Sequence, residues 1–127
     1  MMSTDCSTPD NTALIRSRLE ALVHSTHPAP FLIIQEARSQ KFIQFSGQTL
    51  QFDLPKQTLT DREFESATNI LADHGIEPVT YKAGNFEQTT FQKELKGNVE
   101  QATALAEVVL FSVYGFDRDA TFDFLTE

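Results

Sequence analysis

The sequence predicts an α+β domain in which an antiparallel sheet of about five strands packs against helices, in the order α-βββ-α-ββ-α. Three observations lead to this prediction. Short apolar or alternating segments follow one another between residues 31 and 54, joined by links of hairpin length. A capping box at Thr60 marks the start of a helix. Two helical patterns end at glycines, Gly75 and Gly115, the residue type that favours the left-handed conformation after a helix.

The chain opens with a small polar segment and a first helix. Residues 1–11 show no apolar periodicity, so we expect a disordered leader ahead of one domain over 12–127. Side-chain oxygens at 10–12 can cap a helix whose apolar residues recur at helical spacing, which predicts a helix over 12–25. The prolines of segment 28–30 end this helix, because proline removes a backbone donor and restricts the residue before it.

Three strands are predicted next. Segment 31–34 is apolar, 41–45 is rich in aromatic and branched residues, and 50–54 alternates apolar with polar residues. The links 36–40 and 46–48 are short and polar, so successive strands should be antiparallel neighbours. The alternation in the last segment predicts a strand with one solvated face.

A second helix is predicted over 61–74. The Thr60 hydroxyl can accept from the Glu63 amide while the Glu63 carboxylate accepts from the Thr60 amide. Leu59 and Phe64 occupy the flanking positions of a hydrophobic staple. These local signals fix the start of the helix.

Two more strands and a third helix complete the pattern. Strand-type residues occupy 76–81 and 86–91 on either side of a glycine–asparagine turn signal. Asn98 can cap a helix whose apolar positions continue to Val113, ahead of Gly115.

The third helix is apolar on two sides. At about 100° per residue, Val108 and Phe111 lie opposite its core stripe, with Tyr114 beside them. A second copy of the chain could cover these residues, which would make Val108, Phe111 and Tyr114 a homodimer interface. Alternatively, the acidic, phenylalanine-rich tail 116–127 could fold back over them.

Composition and charge argue against several classes of protein. Eighteen acidic and ten basic side chains give a net charge of −8, which repels nucleic acid and anionic membranes. The sequence has neither a signal-peptide pattern nor an apolar run long enough to span a membrane. The single cysteine, Cys6, has no intrachain partner for a disulfide, so a reducing compartment, the cytoplasm, is expected.

The sequence offers little chemistry for catalysis. His24 and His27 have a spacing that could face one metal ion, but no other histidine or cysteine lies near them in sequence. Glycine-rich phosphate loops and nucleophile motifs are missing from it. A site assembled from carboxylates such as Asp53, Asp61 and Asp73 stays open, because sequence does not show which residues meet in space. We expect no enzymatic activity, no metal and no cofactor.

The order of elements over residues 12–115 resembles the class I type III secretion chaperones and their YbjN and TY-Chap relatives. Segments 41–45 and 50–54, the pair Asn85-Phe86, and a closing helix over 102–115 that ends Val113-Tyr114-Gly115 are similar to the YbjN/TY-Chap pattern. The resemblance implies a bacterial, cytoplasmic homodimer whose exposed apolar grooves take up an extended segment of another protein without ATP.

The function predicted from these observations is non-catalytic, chaperone-like binding of an unidentified client protein in an apolar groove. The alternative is a regulatory domain that binds a small apolar ligand in a cavity under the sheet. Each residue of the predicted client-binding surface could instead be buried in the core, which is the usual place for a large apolar side chain. These residues are Leu19, Leu22, Phe31, Ile33, Phe42 and Phe52.

Overall fold

The computed structural model describes residues 11–126 and is α+β. The helices are α1 (Asn11–Val23), α2 (Asp61–Ala72) and α3 (Val99–Glu107), which continues as a π-helical segment over Val108–Val113; a short 3₁₀ helix covers Lys56–Thr58. The strands are β1 (Phe31–Glu36), β2 (Phe42–Ser46), β3 (Gln51–Pro55), β4 (Pro78–Ala83), β5 (Phe86–Glu94) and β6 (Phe122–Thr126). The predicted order of elements is confirmed, and β6 follows it as an additional strand. The predicted leader lies outside the described residues except for Asn11, which begins α1.

The strands form one antiparallel sheet in the order β4-β5-β3-β2-β1-β6. Strands β1 to β3 are consecutive neighbours, which confirms the predicted meander. The prediction of about five strands was one short, because the tail was considered only as a possible cover for the third helix. In the structure the tail also adds β6 to the free side of β1, from Leu32 opposite Thr126 to Glu36 opposite Phe122.

The hydrophobic core lies between one face of the sheet and the three helices. The rings of Phe45 and Phe52 are fully buried at its centre, with centroids 5.7 Å apart. Phe64 of α2 contacts Phe91 of β5 at 5.5 Å between centroids. The buried apolar residues of the three helices and of strands β1, β2, β3, β5 and β6 belong to a single cluster.

Capping fixes the helix starts as predicted. The Thr60 hydroxyl accepts from the Glu63 amide at 3.1 Å, and the Thr60 amide donates to the Glu63 carboxylate at 2.9 Å. The same carboxylate binds the Lys41 ammonium at 2.6 Å, which ties α2 to the start of β2. Asn98 accepts from the Gln101 amide at 3.0 Å at the start of α3.

The tail covers the second apolar side of the third helix. Phe122 packs edge-on against Phe111, with ring centroids 6.1 Å apart. The Asn11 side chain holds the preceding loop by donating to the carbonyls of Arg118 at 2.8 Å and Ala120 at 2.9 Å. The sequence left two possible covers open, a second copy of the chain and the tail. In the structure the tail is one cover of this side of the helix.

Candidate functional site

The sheet has a second face, opposite the helices, which we call the outer face. Side chains alternate between the faces of a strand, so directly opposite residues on neighbouring strands share a face. Ile33 lies opposite Gln44 and Leu125, Gln44 lies opposite Asp53, and Asp53 lies opposite Gln92. The outer face consists of Asp123 and Leu125 on β6; Phe31, Ile33 and Gln35 on β1; Phe42, Gln44 and Ser46 on β2; Gln51, Asp53 and Pro55 on β3; Phe86, Gln88, Thr90, Gln92 and Glu94 on β5; and Val79, Tyr81 and Ala83 on β4.

The outer face carries most of the exposed large apolar side chains of the described residues. Four of the five lie there: Val79 is 41% exposed, Tyr81 49%, Phe86 59% and Leu125 43%. The fifth, Leu14 at 39%, lies on α1. A scattered apolar residue on a surface is ordinary, whereas concentration on one face indicates a binding surface.

These side chains form two patches. The first, which we call the β1 patch, consists of Phe31, Ile33, Phe42 and Leu125. Ile33 lies directly opposite Leu125, and Phe42 is diagonal to Ile33 in the register of β1 and β2, so the side chains are within reach of one another.

The second patch, the ribbon patch, consists of Val79, Tyr81 and Phe86. Strand β3 pairs only with residues 90–94 of β5, so the rest of the β4–β5 hairpin extends as a two-stranded ribbon. Its tip is a two-residue turn that begins at Gly84, whose φ of 61° suits glycine. Tyr81 and Phe86 lie on this ribbon and Val79 lies at its base, all on the face opposite the helices.

Polar side chains fill the middle of the outer face and hold one another. Asp53 accepts from the Thr90 hydroxyl at 2.5 Å, and the Tyr81 hydroxyl donates to Gln92 at 2.5 Å. These bonds link β3 to β5 and β4 to β5 on the outer face, where Thr90 itself is buried. The middle of the face therefore presents fixed oxygen and amide groups between the two apolar patches.

Every charged residue of the outer face is a carboxylate. Asp53 lies on a central strand, Glu94 at the end of β5, and Asp123 on β6. None of the nineteen described outer-face residues is a lysine, an arginine or a histidine. The face is negative wherever it is charged.

Three of the predicted client-binding residues belong to the core instead, and their assignment to the surface is corrected. Leu19 and Phe52 have no exposed surface and Leu22 is 4% exposed. Leu19 and Leu22 lie on the stripe of α1 that packs on the sheet. Phe52 faces inward because Gln51 and Asp53, its neighbours on β3, take the opposite face.

The other three, Phe31, Ile33 and Phe42, lie together on the outer face and are half-buried. Sequence reasoning missed Val79, Tyr81, Phe86 and Leu125. Alternation along 78–83 would have placed Val79 and Tyr81 on one face. Leu125 gave no such signal because its strand was not predicted.

The residues of the predicted dimer interface contact their own chain. Phe111 packs against Phe122, and the Arg118 guanidinium lies over its ring at 4.6 Å from the centroid. The Tyr114 hydroxyl donates to the carbonyl of Phe42 at 2.7 Å. Val108 is half-buried at the start of the π-helical segment. The homodimer itself stays a prediction.

Tyr114 gives a direct test of this packing. Burial, with the nearby Glu63 carboxylate, raises the pKa of Tyr114 to about 12 from the ordinary 10.0. A raised pKa means that folding favours the protonated phenol, so its stabilisation is complete below pH 10.0 and is lost as the pH rises towards about 12. We expect the Tyr81→Phe variant, which leaves Tyr114 as the sole tyrosine, to ionise with a midpoint near 12 in near-ultraviolet absorbance. A midpoint near 10 would mean that Tyr114 is exposed.

The structure does not bring together the carboxylates considered for an enzyme site. Asp61 and Asp73 lie at opposite ends of α2, about 18 Å apart by the rise of a helix, and Asp53 lies on the outer face of the sheet. His27 Nδ1 accepts from the Ala29 amide at 3.0 Å within an exposed turn. Within residues 11–126, no three histidine, cysteine, aspartate or glutamate side chains are grouped to hold a metal ion.

Two pockets lie at the rim of the sheet. One, of about 640 Å³, contains Arg38, Asp117 and Asp119 beside the buried Glu36. The Ser39 amide donates to the Glu36 carboxylate at 2.7 Å, which lowers the pKa of Glu36 and uses this group to hold the β1–β2 turn. The second pocket, of about 450 Å³, lies where the C-terminal end of α1 meets the start of β1. Neither lies under the sheet, where the alternative function predicts an apolar ligand.

No protein-family model, curated protein or solved structure matches this chain. The resemblance to the YbjN/TY-Chap family therefore stays a prediction. Among residues 11–126, none of the helices has the length and apolar character needed to cross a membrane.

Proposed function

We propose that this protein is a non-catalytic, chaperone-like module that binds a segment of another protein on the outer face of its sheet. The observation that carries the proposal is the concentration of exposed apolar side chains there, where four of the five such residues among 11–126 lie. The helices lie on the other face, so a client would meet the outer face without displacing any of them. Buried apolar area would supply most of the affinity.

The form of the outer face favours a polypeptide segment over a small ligand. A small ligand requires a concave site that encloses most of its surface. The outer face instead offers two apolar patches separated by polar groups across several strands, which a chain can contact at successive residues. Binding in this way requires neither the predicted homodimer nor the cytoplasmic location, which stay predictions.

Peptide binding tests the proposal directly. The probe is a labelled peptide with paired leucines at both ends and a neutral serine–threonine middle, measured by fluorescence anisotropy. We expect the Ile33→Thr/Leu125→Thr variant to bind it about tenfold more weakly than wild type, because partial burial of two apolar side chains stabilises a complex by at least about 1.4 kcal/mol. Threonine is β-branched, which suits a strand.

Leu14→Gln is the matched control, since Leu14 is 39% exposed and lies on α1. It should leave the affinity within about twofold of wild type, a difference of less than about 0.5 kcal/mol. Equal losses in both variants, or no binding by wild type, would contradict the proposal. Circular dichroism confirms that both variants are folded.

A further inference from the structure

We propose that the outer face selects client segments that carry basic side chains between apolar ones. This inference rests on the proposed function and adds the chemistry of the partner. It follows from the sign and position of the charges on the outer face, from the lack of ion-pair partners for them among residues 11–126, and from the spacing of the two apolar patches.

Two of the three carboxylates of the outer face, Asp53 and Glu94, are close enough to act together. Asp53 and Glu94 are diagonal across β3 and β5, because Asp53 lies opposite Gln92 and Gln51 lies opposite Glu94. Side chains in that relation are about 7–8 Å apart, which is within a Debye length at physiological salt. Their negative potentials therefore add in the middle of the face.

The cations of the described residues that form ion pairs do so away from the outer face. The four salt bridges join Arg16 to Glu100, Lys41 to Glu63, Lys82 to Glu87 and Arg118 to Glu107. None of these carboxylates belongs to the outer face. The negative charge of Asp53, Glu94 and Asp123 is thus available to a partner of opposite charge.

The same charges disfavour two other occupants. A second copy of the chain laid face to face would bring two sets of carboxylates together, and like charges in a contact oppose association. The segment 1–10 carries Asp5 and Asp10 and has no lysine or arginine. A partner protein with basic residues is therefore the complementary occupant.

The spacing of the patches sets where those basic residues belong. From β1 to β4 the sheet order gives four strand intervals, which is about 19 Å at about 4.8 Å each. An extended chain covers that distance in about six residues, at about 3.3 Å per residue. A client that reaches both patches would place apolar residues about six apart, with lysine or arginine between them over Asp53.

Two charged versions of the neutral peptide test the inference: one has lysines in its middle and the other has glutamates. At about 0.01 M salt, where the Debye length is about 30 Å, we expect the lysine peptide to bind at least about tenfold more tightly than the glutamate peptide. At about 1 M salt, where the Debye length is about 3 Å, the difference should fall below about twofold.

Two matched amide variants distinguish the effect of the outer-face carboxylates from the effect of the protein's net charge. Asp53→Asn/Glu94→Gln/Asp123→Asn removes the outer-face carboxylates but keeps an oxygen acceptor for the Thr90 hydroxyl and the Lys96 amide. Glu20→Gln/Glu65→Gln/Asp73→Asn removes the same charge from exposed positions on or at the ends of the helices. The first variant should weaken lysine-peptide binding about tenfold, and the second less than about twofold.

The outcomes distinguish the inference from the proposed function. If the neutral peptide binds and the two charged peptides bind equally, charge selection is overturned while the proposed function stands. If the two amide variants lose affinity equally, the preference comes from net charge and the inference is likewise overturned. If none of the peptides binds, both fail. A homodimer disrupted by Ile33→Thr/Leu125→Thr, or tighter peptide binding after removal of residues 1–10, would assign the face to another occupant and overturn the inference.

Discussion

Phe52→Ala is expected to lower the free energy of unfolding by about 3–5 kcal/mol. Phe52 has no exposed surface, and its ring packs against Phe45 with centroids 5.7 Å apart, so the truncation removes buried apolar area and leaves a cavity in close-packed surroundings. Urea denaturation followed by circular dichroism measures the difference. This substitution is decisive because the sequence allowed Phe52 to be either a client contact or a core residue.

Phe42→Ala is the matched control for this experiment. Phe42 is the same residue type on the neighbouring strand, but it faces outward. Its truncation should lower stability less than that of Phe52, by about 1 kcal/mol, because a half-buried outward ring loses less apolar contact and leaves no enclosed cavity. A larger loss for Phe42→Ala than for Phe52→Ala would reverse the assignment of the two faces.

Phe122→Asp is expected to destabilise the fold by about 3–5 kcal/mol. Phe122 is 8% exposed, contacts Phe111 and Phe116, and lies directly opposite the buried Glu36 on β1. The substitution replaces an aromatic contact with a carboxylate that has no partner and lies beside another carboxylate. Thermal unfolding should therefore occur at a markedly lower temperature, and tryptic cleavage after Arg118 should become faster.

Leu125→Asp supplies the comparison on the same strand. Leu125 faces outward and is 43% exposed, so the same change of charge should lower stability by less than about 1 kcal/mol. If both aspartate variants were equally mild, β6 would not be docked on β1. If both unfolded the protein, the outer face of β6 would be buried by a contact outside residues 11–126.

The local elements of the fold were predictable because their signals lie within a few residues of each other. The capping box at Thr60 and the links of the meander act over four or five residues, and the structure reproduces both. Strand β6 was not predicted. Its segment alternates apolar with polar residues, but its partner β1 is distant in sequence, and pattern alone does not reveal such pairing.

Only part of the candidate site could be predicted from the sequence, for a related reason. Strand β1 is apolar on both of its faces, at Leu32 on one and at Ile33 on the other. The pattern therefore does not show which face packs on the core. For Phe52 the pattern was informative, since Gln51 and Asp53 mark the opposite face as solvated. The charge of the outer face could not be seen in sequence, because Asp53, Glu94 and Asp123 come onto one face only once the sheet has formed.

The position of β6 next to β1 has a consequence for synthesis of the protein on the ribosome. Asn11 binds carbonyls that lie 107 and 109 residues further along the chain, and β1 has no neighbour on that side before residues 122–126 emerge. A nascent chain therefore displays an unpaired edge of β1 from the emergence of that strand until residues 122–126 follow, and Phe111 is uncovered from its own synthesis until Phe122 is in place. During that interval the exposed edge is open to pairing with other chains, and protection arrives when β6 joins the sheet.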